Sequence, residues 1–133
     1  MRLLTVFIFT IFVFACKEKQ VAEEKKTSPL YDEVMAIHDK VMPEMSTIHA
    51  LKRDLKAIEK PASKEIIIKN IIALDNADEA MMSWMADFKV PEDKSKEAEY
   101  LNKEKEVIQS VSDQMYGSIH QAQKLLDSLK TMK

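Results

Sequence analysis

The chain has little of the material from which loops and catalytic centres are built. Its 133 residues include one glycine, four prolines and one cysteine. Because the only glycine is Gly117, a glycine-rich phosphate-binding loop is excluded, and no His-Glu-x-x-His or Glu-x-x-His pattern is present. With a single cysteine no disulfide can form within the chain, so the fold must rest on its hydrophobic core. The sequence predicts a protein that is not an enzyme.

The chain also lacks a large excess of either positive or negative charge. Lysine and arginine number 20 and the acids 22, and the two signs are interspersed along the chain. A nucleic-acid-binding protein would concentrate its lysines and arginines in a basic patch or stripe. We therefore expect no nucleic acid among the partners of this protein.

A hydrophobic leader ends abruptly at Cys16. Residues 1–2 give a positive start, residues 3–14 are almost unbroken apolar sequence, and Ala15 is small. This order is typical of a secretory signal peptide, and the apolar stretch is shorter than the roughly 20 residues that span a bilayer. Residues 13–16 (VFAC) resemble the lipobox of bacterial lipoproteins, which implies that Cys16 is acylated and becomes the first residue of the mature protein.

The leader and the residues after it predict where the protein is located. Residues 1–15 are interpreted as a lipoprotein signal peptide, and residues 16–29 as the acylated cysteine followed by a charged, flexible tether. The expected location is the cell envelope, anchored by lipid, with the outer membrane as the favoured membrane. Residues 17–19 (KEK) resemble the start of surface-exported lipoproteins of Bacteroidetes, but a plain spacer explains them equally well. The periplasmic side and the cell surface therefore both stay open.

The rest of the chain, residues 30–133, predicts an all-α fold. Pro29, Pro61 and Pro91 separate three long segments, which gives helices at about 30–59, 62–89 and 92–131. With connections this short, the fold is expected to be an antiparallel up-down-up three-helix bundle with coiled-coil-like heptad packing. In each segment apolar residues recur at steps of three and four, as in Val34-Ile37-Val41, Ile67-Ile71-Leu74 and Ile108-Val111-Met115.

Each predicted helix carries an acid in the middle of its apolar seam. Folding the chain about residues 60 and 91 would place Glu44, Asp78 and Glu104 in one layer. Carboxylates that converge in an apolar interior need protons, a cation or partial exposure to water. A divalent cation bound by this layer is one prediction, and acids that reach the solvent at the edge of a slim bundle are the alternative.

A second group of candidate ligands borders the first seam. Thioether and imidazole together suit Cu(I), and the alternative is a methionine-filled core bordered by histidines. Histidines and methionines recur along the first predicted helix at steps of four, three and four, and the second predicted helix adds two methionines at a similar height. The predicted copper ligands are His38, Met42, Met45, His49, Met81 and Met85.

The third predicted helix is longer than its neighbours. In the register assumed above, residues 121–131 extend beyond the turn at Pro61, and their apolar stripe receives no partner from this chain. Exposed stripes of this kind usually mark association with another helix. A protein partner or self-association is therefore predicted at Ala122, Leu125, Leu126 and Leu129.

Two segments carry a resemblance to a known family. Residues 38–43 (HDKVMP) and 78–88 (DEAMMSWMADF), followed by Tyr100-Leu101, Glu104-Lys105 and Ile108, are similar to short lipoproteins of Bacteroidetes often labelled "viral A-type inclusion protein". The resemblance covers most of residues 31–126. It implies a lipoprotein with a helical domain, and it brings no activity with it.

Three functions remain open on the sequence alone. The first is a lipid-anchored, non-enzymatic interaction or structural protein of the envelope. The second is an envelope metal-binding protein that uses the His/Met stripe or the carboxylate layer. A small-molecule carrier is a third and weaker possibility, because it needs a cavity that sequence does not reveal.

Overall fold

The computed structural model describes residues 28–132. The predicted signal peptide, Cys16 and the tether up to residue 27 lie outside the described residues. Within them the chain is helical without any strand, which confirms the all-α class. The elements are α1 (Pro29–Val41), α2 (Glu44–Ala57), a 3-10 turn (Pro61–Ser63), α3 (Lys64–Asp87) and α4 (Lys94–Thr131).

The helix predicted at 30–59 is two helices, divided at Met42 and Pro43. Proline lacks the backbone N–H that would continue the helical ladder, and its ring clashes with the carbonyl four residues earlier. The backbone here forms hydrogen bonds between residues three apart instead of four, from Met45 N to the Met42 carbonyl (3.2 Å) and from Ser46 N to the Pro43 carbonyl (3.2 Å). The regular helix is therefore interrupted at Pro43, and α1 and α2 are separate helices.

Polar side chains cap the described helices that follow a loop. The Ser28 hydroxyl accepts from Tyr31 N, and Pro29 opens α1, one residue before the predicted start. Asp93 accepts from Ser95 N at 3.0 Å and begins α4 two residues later than predicted. The hydrogen bonds from Ser95 lower the pKa of the Asp93 carboxyl below its ordinary value.

The core follows the predicted seams with a few exchanges. Helix α4 packs against α1, α2 and α3, and α2 packs against α3. Ala77 is fully buried and Trp84 is 6% exposed, while their predicted seam neighbours Asp78 and Met85 are only partly buried. None of the described helices is long and apolar enough to cross a membrane. The fully buried side chains at seam positions are Val34, Val41, Ile48, Leu55, Ile67, Leu74, Met81, Leu101, Ile108, Met115 and Ala122.

Candidate functional site

His38 lies on the last turn of α1 and has a side chain that is only 15% exposed. Its Nδ1 is 2.8 Å from Asp39 Oδ1, and its Nε2 is 3.4 Å from Met85 Sδ on α3. The Trp84 ring lies beside the imidazole at a centroid distance of 5.6 Å. The structure thus brings together two of the predicted copper ligands, His38 and Met85.

An aromatic cluster surrounds this contact. Trp84 and Phe88 on α3 have ring centroids 4.8 Å apart, and Phe88 also lies 6.1 Å from Tyr31 and 6.0 Å from Tyr100. The Trp84 indole N–H donates to Glu104 Oε2 at 2.9 Å, so a buried indole has its hydrogen bond satisfied by α4. Glu104, which was predicted as a metal ligand, accepts this hydrogen bond and so orients Trp84.

The remaining residues of the His/Met stripe do not join His38. His49 lies beyond the Pro43 break, and its Nε2 is 3.2 Å from Asp78 Oδ2, two helical turns from Met85 on α3. Met42 and Met45 are half-buried against the core, and Met81 is fully buried within it. The predicted stripe is therefore divided between a His38–Met85 contact and a separate His49–Asp78 contact.

The three acids predicted to share a layer are not brought together, and that prediction is wrong. Asp78 lies opposite His49, Glu104 contacts Trp84, and Glu44 is half-buried at the start of α2. Over residues 28–132 no three imidazole, thiol or carboxylate groups are gathered so that they could hold a metal ion.

The cause of this error is the length of the connections. The contacts Trp84–Glu104 and Phe88–Tyr100 are symmetric about Lys94 rather than about residue 91. The contact His49–Asp78 and the ion pair Lys52–Asp75 are symmetric about the Ser63–Lys64 bond rather than about residue 60. Each turn thus centres about three residues later than predicted. Residues that face each other across a turn are therefore displaced by about six to seven positions, which is close to two helical turns.

Asp78 is the most unusual of these acids. Its side chain is 22% exposed, and Oδ2 reaches the largely exposed His49. Its Oδ1 is buried and has no hydrogen-bond partner. A buried carboxylate oxygen without a partner costs free energy of folding.

The predicted overhang at the end of α4 is also wrong. Ala122 is fully buried and Leu126 is 2% exposed, so this chain supplies the partner that the prediction left out. Lys105 Nζ lies 2.6 Å from Glu33 Oε2, whereas the predicted register placed a residue near 95 beside Glu33, so α4 is displaced by more than one helical turn toward the start of α1. The last turns of α4 consequently lie beside the connection between α2 and α3 instead of extending past it.

A groove of about 650 Å³ remains at that end, and we name it the terminal groove. The connection after α2, the start of α3 and the last turns of α4 form it. Lys60, Lys130 and Glu59 lie along the groove with the apolar residues. Leu125 and Leu129, predicted to bind a partner, are partly buried and line it. Its large apolar side chains are Ile58, Ile66, Leu125, Leu129 and Met132.

Comparisons with protein-family models, with curated proteins and with solved structures found no match for this chain.

Sequence reasoning missed several residues of these sites. Asp39 was overlooked because a carboxylate next to a histidine in sequence usually points to another face of the helix. Ile58, Ile66 and Met132 were overlooked because they depend on where the turn between α2 and α3 lies. The hydrogen bond from Trp84 to Glu104 depends on the register between α3 and α4, which the sequence pattern does not encode.

Proposed function

We propose that this chain is a lipid-anchored interaction protein of the bacterial cell envelope, without catalytic activity of its own. In this proposal Cys16 carries the acyl chains, the charged residues after it are a tether, and residues 28–132 present a binding surface. The terminal groove is the observation that carries the proposal. It combines partly buried leucines with a methionine, Met132, that is 66% exposed.

The proposed architecture is an up-down-up bundle with coiled-coil-like heptad packing. His49 contacts Asp78, and Lys52, three residues later on α2, contacts Asp75, three residues earlier on α3. This reversed order is that of two antiparallel helices. The spacing of buried residues by three and four supports heptad-like packing of such antiparallel neighbours. The same reversed order relates α3 to α4, in the contacts Trp84–Glu104 and Phe88–Tyr100.

The proposed occupant of the terminal groove is an amphipathic helix of another envelope protein. Grooves between helix ends accept such helices through apolar side chains spaced by three and four residues. Lys60 and Lys130 line the groove against a single acid, Glu59. This excess of positive charge favours a partner whose apolar stripe is flanked by aspartate or glutamate.

Site-specific cross-linking in cells tests the groove. We expect a photoreactive amino acid at Met132 to give a discrete adduct, because this side chain is exposed and lines the groove. The matched control is the same amino acid at Ile72, which is 52% exposed on α3 and does not line the groove. Leu129→Glu should abolish the adduct at Met132, since it places an acid among apolar walls.

The cross-linked peptide decides the identity of the partner. A peptide from an amphipathic helix with acidic flanks supports the proposal. Adducts of equal yield at Met132 and Ile72, or none at Met132, contradict it. An adduct formed only between two copies of this chain would assign the groove to self-association.

The anchor is tested at Cys16. We expect Cys16→Ala to leave the precursor uncleaved and without lipid, because acylation of the thiol precedes cleavage in lipoproteins of the kind that residues 13–16 resemble. Cells labelled with radioactive fatty acid give the measurement. Lys19→Ala, a change three residues later, is the matched control and should keep its label. Equal label in the Cys16→Ala variant and the parent would refute the anchor.

A further inference from the structure

His38 has an acceptor beside each of its ring nitrogens. A carboxylate oxygen accepts hydrogen bonds without donating, and a thioether sulfur is a weak acceptor. A neutral imidazole has one N–H, and the 2.8 Å contact to Asp39 Oδ1 places it on Nδ1. The lone pair of Nε2 then faces the lone pairs of Met85 Sδ at 3.4 Å. His38 Nε2 on α1 and Met85 Sδ on α3 can therefore each donate an electron pair to a metal ion, and they lie next to each other.

We propose that His38 Nε2 and Met85 Sδ are protein ligands of a Cu(I) site. With bond lengths of about 2.0 Å to imidazole nitrogen and about 2.3 Å to sulfur, as for the d¹⁰ ion Zn²⁺, their 3.4 Å separation gives an angle of about 105° at the metal. That angle suits a three- or four-coordinate ion. Met42 lies one helical turn after His38 and offers a further thioether from the same helix face.

The surroundings select Cu(I) over harder cations. Thioether and imidazole ligands suit soft ions, whereas Ca²⁺ and Mg²⁺ require several oxygen ligands. The nearest carboxylate, Asp39, is engaged with Nδ1, the position from which an acid orients a metal-binding histidine and fixes its tautomer. The Trp84 ring lies beside the imidazole and is itself packed against Phe88, and this apolar surface limits the access of water to the ion.

This site is independent of the interaction role proposed above. His38 and Met85 lie in the last turns of α1 and α3, whereas the terminal groove is formed by residues 57–66 and 125–132. A result at one site therefore does not decide the other.

Competition for Cu(I) tests the site. The sample is the full chain in detergent with Cys16→Ser, because a free thiol would bind Cu(I) by itself. The protein is titrated without oxygen against a chromogenic Cu(I) chelator. We expect one Cu(I) per chain, with an affinity that falls at least about tenfold in His38→Ala and in Met85→Leu. Asp39→Asn, which alters only the orienting carboxylate, should weaken binding by about 10–100-fold.

Matched controls use the same residue types outside the site. Met82→Leu changes an exposed methionine of α3, and His120→Ala changes an exposed histidine of α4. Both should bind Cu(I) as the parent does, and circular dichroism checks that every variant is folded. X-ray absorption of the loaded parent should show nitrogen and sulfur neighbours of copper. A parent that takes no Cu(I) from the chelator, or an equal loss in the control variants, would overturn the proposal.

Discussion

Replacement of Trp84 by alanine is expected to destabilise the fold by about 3–5 kcal/mol, the usual cost of removing a large buried aromatic side chain. Trp84 is 6% exposed and contacts the rings of His38 and Phe88, while its indole N–H donates to Glu104. The change therefore leaves a cavity, and it also leaves the Glu104 carboxylate without its partner on α3. Few single substitutions in this chain should cost more.

A less drastic change separates these two effects. Trp84→Phe keeps much of the aromatic surface but removes the donor to Glu104, and we expect it to cost about 1.5–3 kcal/mol, the usual value for a hydrogen bond to a charged group. Urea unfolding followed by circular dichroism gives both values, because the only tryptophan cannot report on its own replacement. Met82→Ala, at an exposed position of α3, is the control and should stay within about 0.5 kcal/mol of the parent. A cost below about 1 kcal/mol for Trp84→Ala would show that the aromatic cluster is not packed as described.

The spacing of apolar residues predicted which side chains form the core. Residues such as Val34, Ile67 and Met115 recur at helical steps, and burial of a helix face requires that spacing whatever the neighbours are. The spacing of apolar residues does not determine how far each helix is shifted along its axis relative to its neighbours. Ser63 and Asp93 sit in connections whose lengths depend on capping and on a 3-10 turn, and these details shift neighbouring helices past each other by nearly two turns.

That shift explains why single-helix features were predicted better than sites between helices. The apolar face of each helix needs only the spacing of residues within that helix, and side chains such as Val34 and Ile67 are buried where that spacing predicts. The layer of Glu44, Asp78 and Glu104 needed three helices in correct register, and it failed. The contact between His38 and Met85 survived because Met85 lies only one helical turn after residue 82, which the predicted register placed opposite His38, so long side chains can still meet.

Asp78 shows how one of these errors becomes a measurable property. Its predicted seam place belongs to Ala77, which is fully buried, and the carboxylate is displaced to the edge of the core. There Oδ2 reaches His49, but Oδ1 stays buried without a hydrogen-bond partner. The structure thus carries an unsatisfied polar atom where an apolar side chain would fit the stripe.

Replacement of Asp78 by leucine is therefore expected to stabilise the fold. Removing a buried polar atom without a partner relieves about 1–3 kcal/mol, whereas the lost contact with the exposed His49 is worth about 0–1 kcal/mol. The free energy of unfolding should rise by about 1–2 kcal/mol, and each kcal/mol raises the Tm of a domain this size by about 4–8 °C. Asp75→Leu, one turn earlier on α3 and half exposed, should give no such gain, because Asp75 pairs with Lys52.

Thermal unfolding of residues 28–133, which include every helix described, measures the two variants side by side. Stabilisation by Asp78→Leu alone would identify Asp78 as a residue that costs stability, and costly residues that persist in a fold are candidates for function. If Asp78→Leu instead destabilises by about 3–5 kcal/mol, the carboxylate is one half of a necessary buried pair. An unchanged Tm would mean that water reaches Oδ1 and that α3 packs less closely against its neighbours than described. The first outcome is the one that the buried, unpartnered oxygen predicts.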